Sequence, residues 1–424
     1  MMQRLARPLT LLLLVASLVG PLGTSRHSAV RAEAQSALEV VTQEHSFSFG
    51  QHVRFTAEVK SASPVVKVTL LFAETDDVRI FSADLPIPGE RTDLQVTYTL
   101  DLKEYPLRPY ARVGYWWQVE NQDGTRLESE PVSFIYADNR YNWLQVAEDG
   151  IEVYYAVDEP TLGHTALRVA KEGLARMADL LPGPLSEQVS IYIYPTADEL
   201  RTALRLAGRE WVGGHADPDW SVILVSASGS PASLLALQST IPHELAHLVV
   251  YHAAGGKGNQ VPMWLHEGLA VRNEPRPDPT FAIALDEAIA KGTLAPLASL
   301  CAAFPADEAG AIQAYAQSAS IVRYLQNRFG NQRLKELLAA YGDGADCDGG
   351  VQRVLNLSLV ELEAAWLADL GATTQRADKG VDTRGLLPWA GLIGGGTILA
   401  TLLHWLQPSR RTTKSHEEAA QTHV

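Results

Sequence analysis

The chain has 424 residues, more than one typical domain requires, so we expect several domains. Apolar residues make up 46% of the chain and charged residues 20%, which excludes a protein that is disordered throughout. The formal net charge of −14 argues against the large basic surface that nucleic-acid binding requires, so we expect no nucleic-acid partner.

Residues 1–34 predict a signal peptide. Arg4 and Arg7 form a short basic segment, residues 9–22 are predominantly apolar, and residues 32–34 have the small-x-small pattern of a cleavage site. The alternative is an uncleaved N-terminal membrane anchor. In both cases the sequence indicates that the chain is exported.

Residues 38–137 predict an all-β sandwich domain. Short segments rich in β-branched and aromatic residues are separated by turn signals such as Asp123-Gly124, without helical periodicity. These segments are residues 52–60, 65–72, 94–102, 112–121 and 128–136. The last two resemble late strands of fibronectin type III or immunoglobulin-like domains, a likeness that concerns fold alone. Trp116 and Trp117 point to opposite faces, so we expect one of them in the core.

Residues 140–372 predict a second domain of the α+β class. Segments with strand-like composition alternate with segments whose apolar residues recur at helical spacing. The predicted strands are residues 151–157, 188–195 and 220–227, and the predicted helices are residues 161–181 and 196–208. Residues 281–371 predict a wholly helical region.

The second domain contains His-Glu-x-x-His at His243, Glu244 and His247. On a helix the two imidazoles lie one turn apart on one face, where both can bind one zinc ion. Glu244 then lies beside the metal, where it can hold a water molecule and take its proton. The alternative is a solvated helix face, but the neighbouring residues are apolar almost all round, so the helix is buried and its polar groups need partners.

Glu267 is the predicted third ligand, because catalytic zinc has three protein ligands and one open position. It follows His247 after 19 intervening residues that include a glycine-rich turn. Glu274 lies seven residues further on, where it either hydrogen-bonds a ligand histidine or is a surface charge. His266 is expected to point away from the face that carries Glu267.

Pro242 directly precedes the motif. A proline inside a helix removes a hydrogen bond and clashes with the carbonyl four residues earlier, here that of Gln238. We therefore expect the helix either to start near Pro242, with Thr240 as its cap, or to kink there.

The chain has two cysteines, Cys301 and Cys347, and neither is part of a C-x-x-C pair. Zinc or iron–sulfur sites built from cysteine are therefore excluded. An exported chain allows the two to form a disulfide, which would add roughly 3–4 kcal/mol to stability. Two unpaired thiols are the alternative.

Residues 385–406 predict a transmembrane helix, since they carry no charge over a length that crosses a bilayer core. Residues 373–384 are the predicted linker before it, and residues 407–424 are the predicted cytoplasmic tail. The signal peptide sets the orientation: the bulk of the chain is then outside the cytoplasm. A buried soluble helix is the alternative for this segment.

The motif His243-Glu244-x-x-His247, followed by W-x-x-E-G-x-A around Glu267, resembles the gluzincins, the thermolysin-like zinc peptidases, and most of all the peptidase MA-like domains. The resemblance implies that His243, His247 and Glu267 bind one zinc ion and that Glu244 is the general base. It further implies that Tyr315 donates a hydrogen bond to the oxyanion and that residues 221–227 form an edge strand for an extended substrate. An internal strand is the alternative for these residues. The segment that anchors a free N-terminus in the aminopeptidases is absent, which favours an endopeptidase or an undefined specificity.

The predicted function is therefore that of a membrane-anchored extracytoplasmic zinc metallopeptidase acting on a peptide or protein substrate. Two alternatives stay open. One is a non-catalytic cell-surface binding protein with a structural zinc ion, and the other is a zinc hydrolase of a non-peptide amide or ester. The sequence names neither the substrate nor the oligomeric state.

Overall fold

The computed structural model describes residues 38–74, 79–183, 185, 188–206 and 214–378. The predicted signal peptide, transmembrane helix and cytoplasmic tail lie outside the described residues. Within those ranges, no helix combines the length and apolar character needed to cross a bilayer. The last helix continues to Asp378, into the segment predicted as a linker.

The N-terminal domain consists of two antiparallel sheets. Its strands are β1 (Leu38–Ser48), β2 (His52–Ser61), β3 (Val65–Glu74), β4 (Phe81–Leu85), β5 (Asp93–Asp101), β6 (Arg112–Asn121), β7 (Arg126–Glu128) and β8 (Val132–Ile135). One sheet has the order β1-β2-β5, and the other has the order β4-β3-β6-β7 with β8 also paired to β6. Alternate residues of both sheets, such as Phe55 and Trp117, are fully buried in one shared cluster, so the two sheets form packed layers.

The five predicted strand segments correspond to β2, β3, β5, β6 and, for residues 128–136, β8. Sequence reasoning missed β1, β4 and β7: β1 has no turn signal at its start, and β4 and β7 have only five and three residues. Trp117 is in the core while Trp116 is half-buried, as the alternation predicts. The likeness to fibronectin type III or immunoglobulin-like domains stays a prediction.

The second domain begins with a five-stranded mixed sheet. Its strands are β9 (Leu144–Glu148), β10 (Ile151–Tyr155), β11 (Val189–Tyr194), β12 (Gly214–Asp217) and β13 (Val222–Ser226). The order is β12-β13-β11-β10-β9; β10, β11 and β13 are parallel, and the two outer strands are antiparallel to their neighbours. The apolar run of β13, buried on both faces, is typical of a central strand.

Helices cover the sheet and make up the rest of the domain. They are α1 (Pro160–Arg176), α2 (Ala197–Leu206), α3 (Pro231–Ala253), α4 (Met263–Asn273), α5 (Pro279–Lys291), α6 (Glu308–Gly342), α7 (Cys347–Leu355) and α8 (Leu359–Asp378). Thr196 caps the start of helix α2: the Glu199 amide donates to Thr196 Oγ1, and that hydroxyl donates to the Glu199 carboxylate. The described part of residues 281–371 is helical apart from short connections, in agreement with the sequence.

Helix α3 does not start near Pro242. It begins at Pro231, with the Ser230 hydroxyl accepting the Ser233 amide as the cap, and continues through Pro242. Thr240 is not a cap, since its hydroxyl donates to a carbonyl one turn earlier in the same helix. Pro242 is buried beside Gly173 of α1, although a proline inside a helix costs about 3 kcal/mol.

The two domains share a buried junction. The ring of Tyr110, from the first domain, stacks on Tyr192 of β11 with centroids 3.7 Å apart. The hydroxyls of Tyr110 and Tyr194 lie 3.1 Å apart, and the Tyr194 hydroxyl donates to Asp138 Oδ2 at 3.0 Å. All four residues are buried, so the domains pack through a satisfied polar network inside an apolar cluster.

The helical part is held by a disulfide and by close helix packing. Of the two alternatives for the cysteines, the structure has the Cys301–Cys347 disulfide, which closes a separation of 46 residues. Gly268 of α4 lies directly against α6: a Cβ there would be 2.4 Å from the Ser318 carbonyl oxygen and 2.6 Å from Val322 Cγ2. The absence of a side chain at Gly268 is what lets the two helices approach this closely.

Replacing Gly268 with alanine is therefore expected to lower the free energy of unfolding by about 1–3 kcal/mol through overpacking. Gly371 of α8 is the matched control, because a Cβ there meets nothing within 4 Å. Gly371→Ala should leave stability unchanged or raise it by up to about 1 kcal/mol. Urea unfolding of the variants measures both effects, and equal stabilities would contradict the packing described.

Candidate metal centre

Three potential metal ligands converge between α3 and α4. His243, His247 and Glu267 each offer an atom, and these atoms all lie within 4.8 Å of one another. The histidines project from consecutive turns of α3, and Glu267 comes from the first half of α4. All three residues are buried. The fold thus brings together two imidazoles and a carboxylate that are up to 24 positions apart in the chain.

Local sequence explains why α4 returns to α3. Gly255 and Gly256, just after α3, have φ angles of 63° and 82°, the left-handed region that favours glycine. The chain then reverses, and the Met263 amide at the start of α4 donates to the Cys301 carbonyl at 2.9 Å. Residues 241–250 of α3 and most residues of α4 are buried, so the polar side chains there cannot turn to solvent.

Glu274 orients His243. Its Oε1 lies 2.8 Å from His243 Nδ1, directly after the end of α4. The other ring nitrogen, Nε2, faces Glu267 Oε2 at 3.5 Å. A carboxylate on one nitrogen of a histidine selects the tautomer that leaves the other nitrogen available to a metal.

The residues present fit a divalent metal ion. His247 Nδ1 and Glu267 Oε2 are buried and have no hydrogen-bond partner in the described part of the chain. Buried polar atoms without partners cost free energy, and a bound cation would satisfy the carboxylate oxygen. Two histidines and one glutamate, with a further position left open, are the donor set of catalytic zinc sites.

Charge and burial set the protonation of this cluster. Burial would lower the pKa of His243, but the neighbouring carboxylates of Glu267 and Glu274 outweigh it and raise that pKa above its usual value. Burial lowers the pKa of His247 to about 3, so that ring is neutral. Burial would raise the pKa of Glu267, yet the neighbouring histidines hold it below its ordinary range. An ionised Glu267 and a neutral His247 are the forms that bind metal, whereas His243 would release a proton when a metal binds.

Glu244 lies beside the cluster and faces strand β12. Burial raises the pKa of its carboxyl to about 7, with the charges of Glu267 and Glu274 acting in the same direction. The Ala216 backbone amide donates to this carboxyl, and a Cβ on Gly214 would lie 2.5 Å from its Oε1. A buried carboxyl with a pKa near neutrality can both accept and release a proton at physiological pH.

Tyr315 of α6 completes the cluster. The residue is buried, and burial together with the charges of Glu267 and Glu244 raises the pKa of its hydroxyl. That hydroxyl lies within hydrogen-bonding reach of the Glu267 carboxyl. The ring packs against Phe281 and Phe304, with centroids 6.1 Å and 4.9 Å away. Tyr315 therefore keeps its proton and presents an O–H donor at the metal centre.

The expectation for His266 was wrong. Its ring stacks on His247 with centroids 4.7 Å apart, and its Nδ1 lies 3.9 Å from Glu267 Oε1. The start of α4 runs so close alongside α3 that adjacent residues of its first turns, His266 and Glu267, both reach the cluster. Sequence spacing alone treats neighbours on a helix as facing apart, and the W-L-H-E-G segment carries no signal that would have indicated otherwise.

The edge strand beside the site is β12. Residues 221–227 were expected to provide that edge, but their strand, β13, lies between β12 and β11. Strand β12 is short and lacks the apolar run that marks a strand in sequence, so its role could not be predicted.

Structural similarity to solved proteins is low. Legionella pneumophila aminopeptidase A matches with a TM-score of 0.35 and 12% identity over 78% of this chain and 49% of its own. OgpA from Akkermansia muciniphila matches with a TM-score of 0.20 and 16% identity, over 23% of this chain and 27% of its own. The Bacillus cereus polysaccharide deacetylase BC0361 matches with a TM-score of 0.19 and 12% identity, over 39% of this chain and 54% of its own. The chain thus spans about half or less of each of these proteins.

No curated protein matches the sequence. A family description does: residues 169–372 match the peptidase MA superfamily. The matched segment contains the two histidines of α3, Glu244, Glu267 and Tyr315, and therefore the whole candidate metal site. Residues 169–372 are thus similar to the peptidase MA superfamily, and this similarity concerns the second domain.

Proposed function

We propose that this protein is a zinc metallopeptidase of the gluzincin type that hydrolyses peptide bonds. The observation that carries the proposal is the convergence of His243, His247 and Glu267 within 4.8 Å, with Glu244 buried beside them. The similarity of residues 169–372 to the peptidase MA superfamily supports a peptidase. The ligand set favours zinc, which when bound polarises the substrate carbonyl and lowers the pKa of its water toward neutrality.

Glu244 is the proposed general base. Its carboxyl is held by the Ala216 amide on one side and faces the cluster on the other. A pKa of about 7, raised mainly by burial, lets it take a proton from the attacking water and pass it to the leaving amine. In this mechanism the Glu244 carboxyl first accepts a proton and then donates it. A carboxyl whose pKa lies near the working pH can do both.

Tyr315 is the proposed hydrogen-bond donor to the oxyanion. Its raised pKa keeps the hydroxyl protonated, and packing against Phe281 and Phe304 limits the motion of the ring. A donor that is already oriented is worth about 2.7–4 kcal/mol in such sites. Strand β12, at the open edge of the sheet, is the proposed partner for an extended substrate backbone.

We further propose that the site lies outside the cytoplasm on a chain anchored by residues 385–406. The predicted signal peptide and the uncharged segment 385–406 support this location. The Cys301–Cys347 disulfide supports it independently, because disulfides persist in oxidising compartments. The cleavage preference is left to experiment.

Changing Glu244 to glutamine should abolish peptide hydrolysis and leave zinc content at the parent level, because the amide cannot accept the proton of water. The measurement is hydrolysis of a peptide library, together with metal analysis of the full chain. Glu172→Gln is the matched control, since that glutamate is exposed on α1. A Glu244→Gln protein that cuts at the parent rate would exclude this base.

Removing the metal should also abolish hydrolysis. A zinc chelator is expected to stop cleavage and added zinc to restore it, while His247→Ala should lose bound zinc. His252→Ala, on the same helix but outside the ligand cluster, is the control and should retain zinc. A parent protein that holds zinc but cleaves no peptide would instead support the non-catalytic alternative.

Tyr315→Phe is expected to lower kcat by about 10²–10³ with little change in zinc content, as for the loss of one oxyanion donor. Steady-state kinetics on a peptide substrate tests this. Tyr324→Phe, on the same helix, is the control and should keep the parent kcat. Equal kcat values for the two variants would reduce Tyr315 to a packing residue.

A further inference from the structure

A single arginine of the N-terminal sandwich reaches the hairpin beside the metal centre. Arg108 Nη1 lies 2.9 Å from Asp219 Oδ2 and 3.5 Å from Asp217 Oδ2. Its guanidinium also lies over the ring of Trp220, 5.4 Å from the centroid. Asp217 ends β12, and residues 218–221 form the turn into β13. The arginine therefore contacts three residues of one turn.

Arg108 is itself fixed in place. Glu74, at the end of β3, accepts the Arg108 backbone amide at 2.9 Å and Nε at 2.6 Å. The side chains of Arg108 and Glu74 are only 21% and 13% exposed. A part-buried charge pair with two hydrogen bonds is held far more firmly than an exposed one. The sandwich thus presents the guanidinium in one orientation.

The active helix holds the same turn from the opposite side. The Tyr251 hydroxyl donates to Asp219 Oδ1 at 3.0 Å. Tyr251 lies one helical turn after His247 on α3. The turn is therefore clamped between Arg108 of the sandwich and the helix that carries two of the ligands.

The clamped hairpin supports the catalytic carboxyl. Strand β12 supplies the Ala216 amide to Glu244, and Gly214 leaves the space that the carboxyl occupies. A displacement of β12 would move both contacts together, because they lie on one short strand of four residues. Misplacement of a catalytic group by about 1 Å can cost about 10²-fold in rate.

We propose that Arg108 is a positioning residue, and that the sandwich forms part of the catalytic site by holding β12 against Glu244. Its role in turnover rests on the proposed peptidase function. Its role in holding β12 does not, because the contacts of Arg108 with the turn exist irrespective of the reaction. The alternative is that the sandwich only recruits protein substrates, in which case Arg108 would affect the KM for a protein and leave kcat unchanged.

The first experiment requires no activity. Hydrogen–deuterium exchange is measured on the full zinc-loaded chain of the parent, Arg108→Gln and Arg126→Gln. Arg126 is the matched control, a sandwich arginine 78% exposed and paired with Glu120. Arg108→Gln should raise amide exchange in residues 214–217 by about tenfold, as for loss of a charged hydrogen bond, while Arg126→Gln leaves it unchanged. Unchanged exchange in the Arg108 variant would overturn the proposal.

The second experiment measures kcat and KM on a short peptide and on casein. Arg108→Gln should lower kcat about tenfold on both substrates with unchanged zinc content. Arg108→Lys should recover part of the lost kcat, because lysine keeps the positive charge but lacks the forked set of N–H donors of the guanidinium group. The double variant Asp217→Asn, Arg108→Gln should lose less of kcat than the sum of the losses of the two single variants, because both residues act on the same turn. A raised KM on casein alone, with kcat unchanged, would assign the sandwich to substrate recruitment and contradict positioning.

The two experiments separate the two possible failures. If the parent cleaves neither substrate but Arg108→Gln still loosens residues 214–217, the peptidase proposal fails and the structural role of Arg108 stands. If the parent cleaves both and Arg108→Gln matches it in exchange and kcat, the positioning role fails and the peptidase proposal stands.

Discussion

The burial of α3 is the constraint on which the rest of the structure depends. The helix carries two histidines and a glutamate in a setting where nearly every neighbouring residue is apolar. Ionisable groups removed from water need partners, and each of these side chains lies close to another polar group. Glu274 meets His243, Glu267 faces His243 and His247, and the Ala216 amide meets Glu244. Atoms that stay unsatisfied in the described chain, such as Glu267 Oε2, are where a cation would bind.

Elements from both domains surround the buried polar side chains of α3. Glycines after α3 turn the chain back, and the missing side chain at Gly268 lets α4 approach α6, which carries Tyr315. The sandwich contacts the hairpin of β12 through Arg108. The tyrosine network at the junction joins the two domains in one buried cluster. The candidate metal centre is thus supported from three directions: by α4, by α6 and by the sheet edge.

Much of this could be predicted from sequence where the signal was local. The strands β2, β3, β5 and β6 follow from alternation and turn residues, and the helices of the second domain follow from their periodicity. Strands β1 and β12 could not be predicted, because the first lacks turn signals at its start and the second is four residues long. The start of α3 at Pro231 also could not, since a proline in a helical segment indicates either a start or a kink near Pro242, and the local sequence does not decide between them.

By itself the sequence determined the candidate chemistry: two histidines at helical spacing, an adjacent glutamate and a second glutamate beyond a glycine-rich turn are local patterns set by chain geometry. The tertiary structure decided which other groups meet them. It placed His266 against His247, gave the sheet edge to β12 rather than β13, and brought Arg108 of the other domain to that edge. The physical reason is that these contacts join residues distant in the chain, whose encounter depends on how whole elements pack and on no pattern within any one of them.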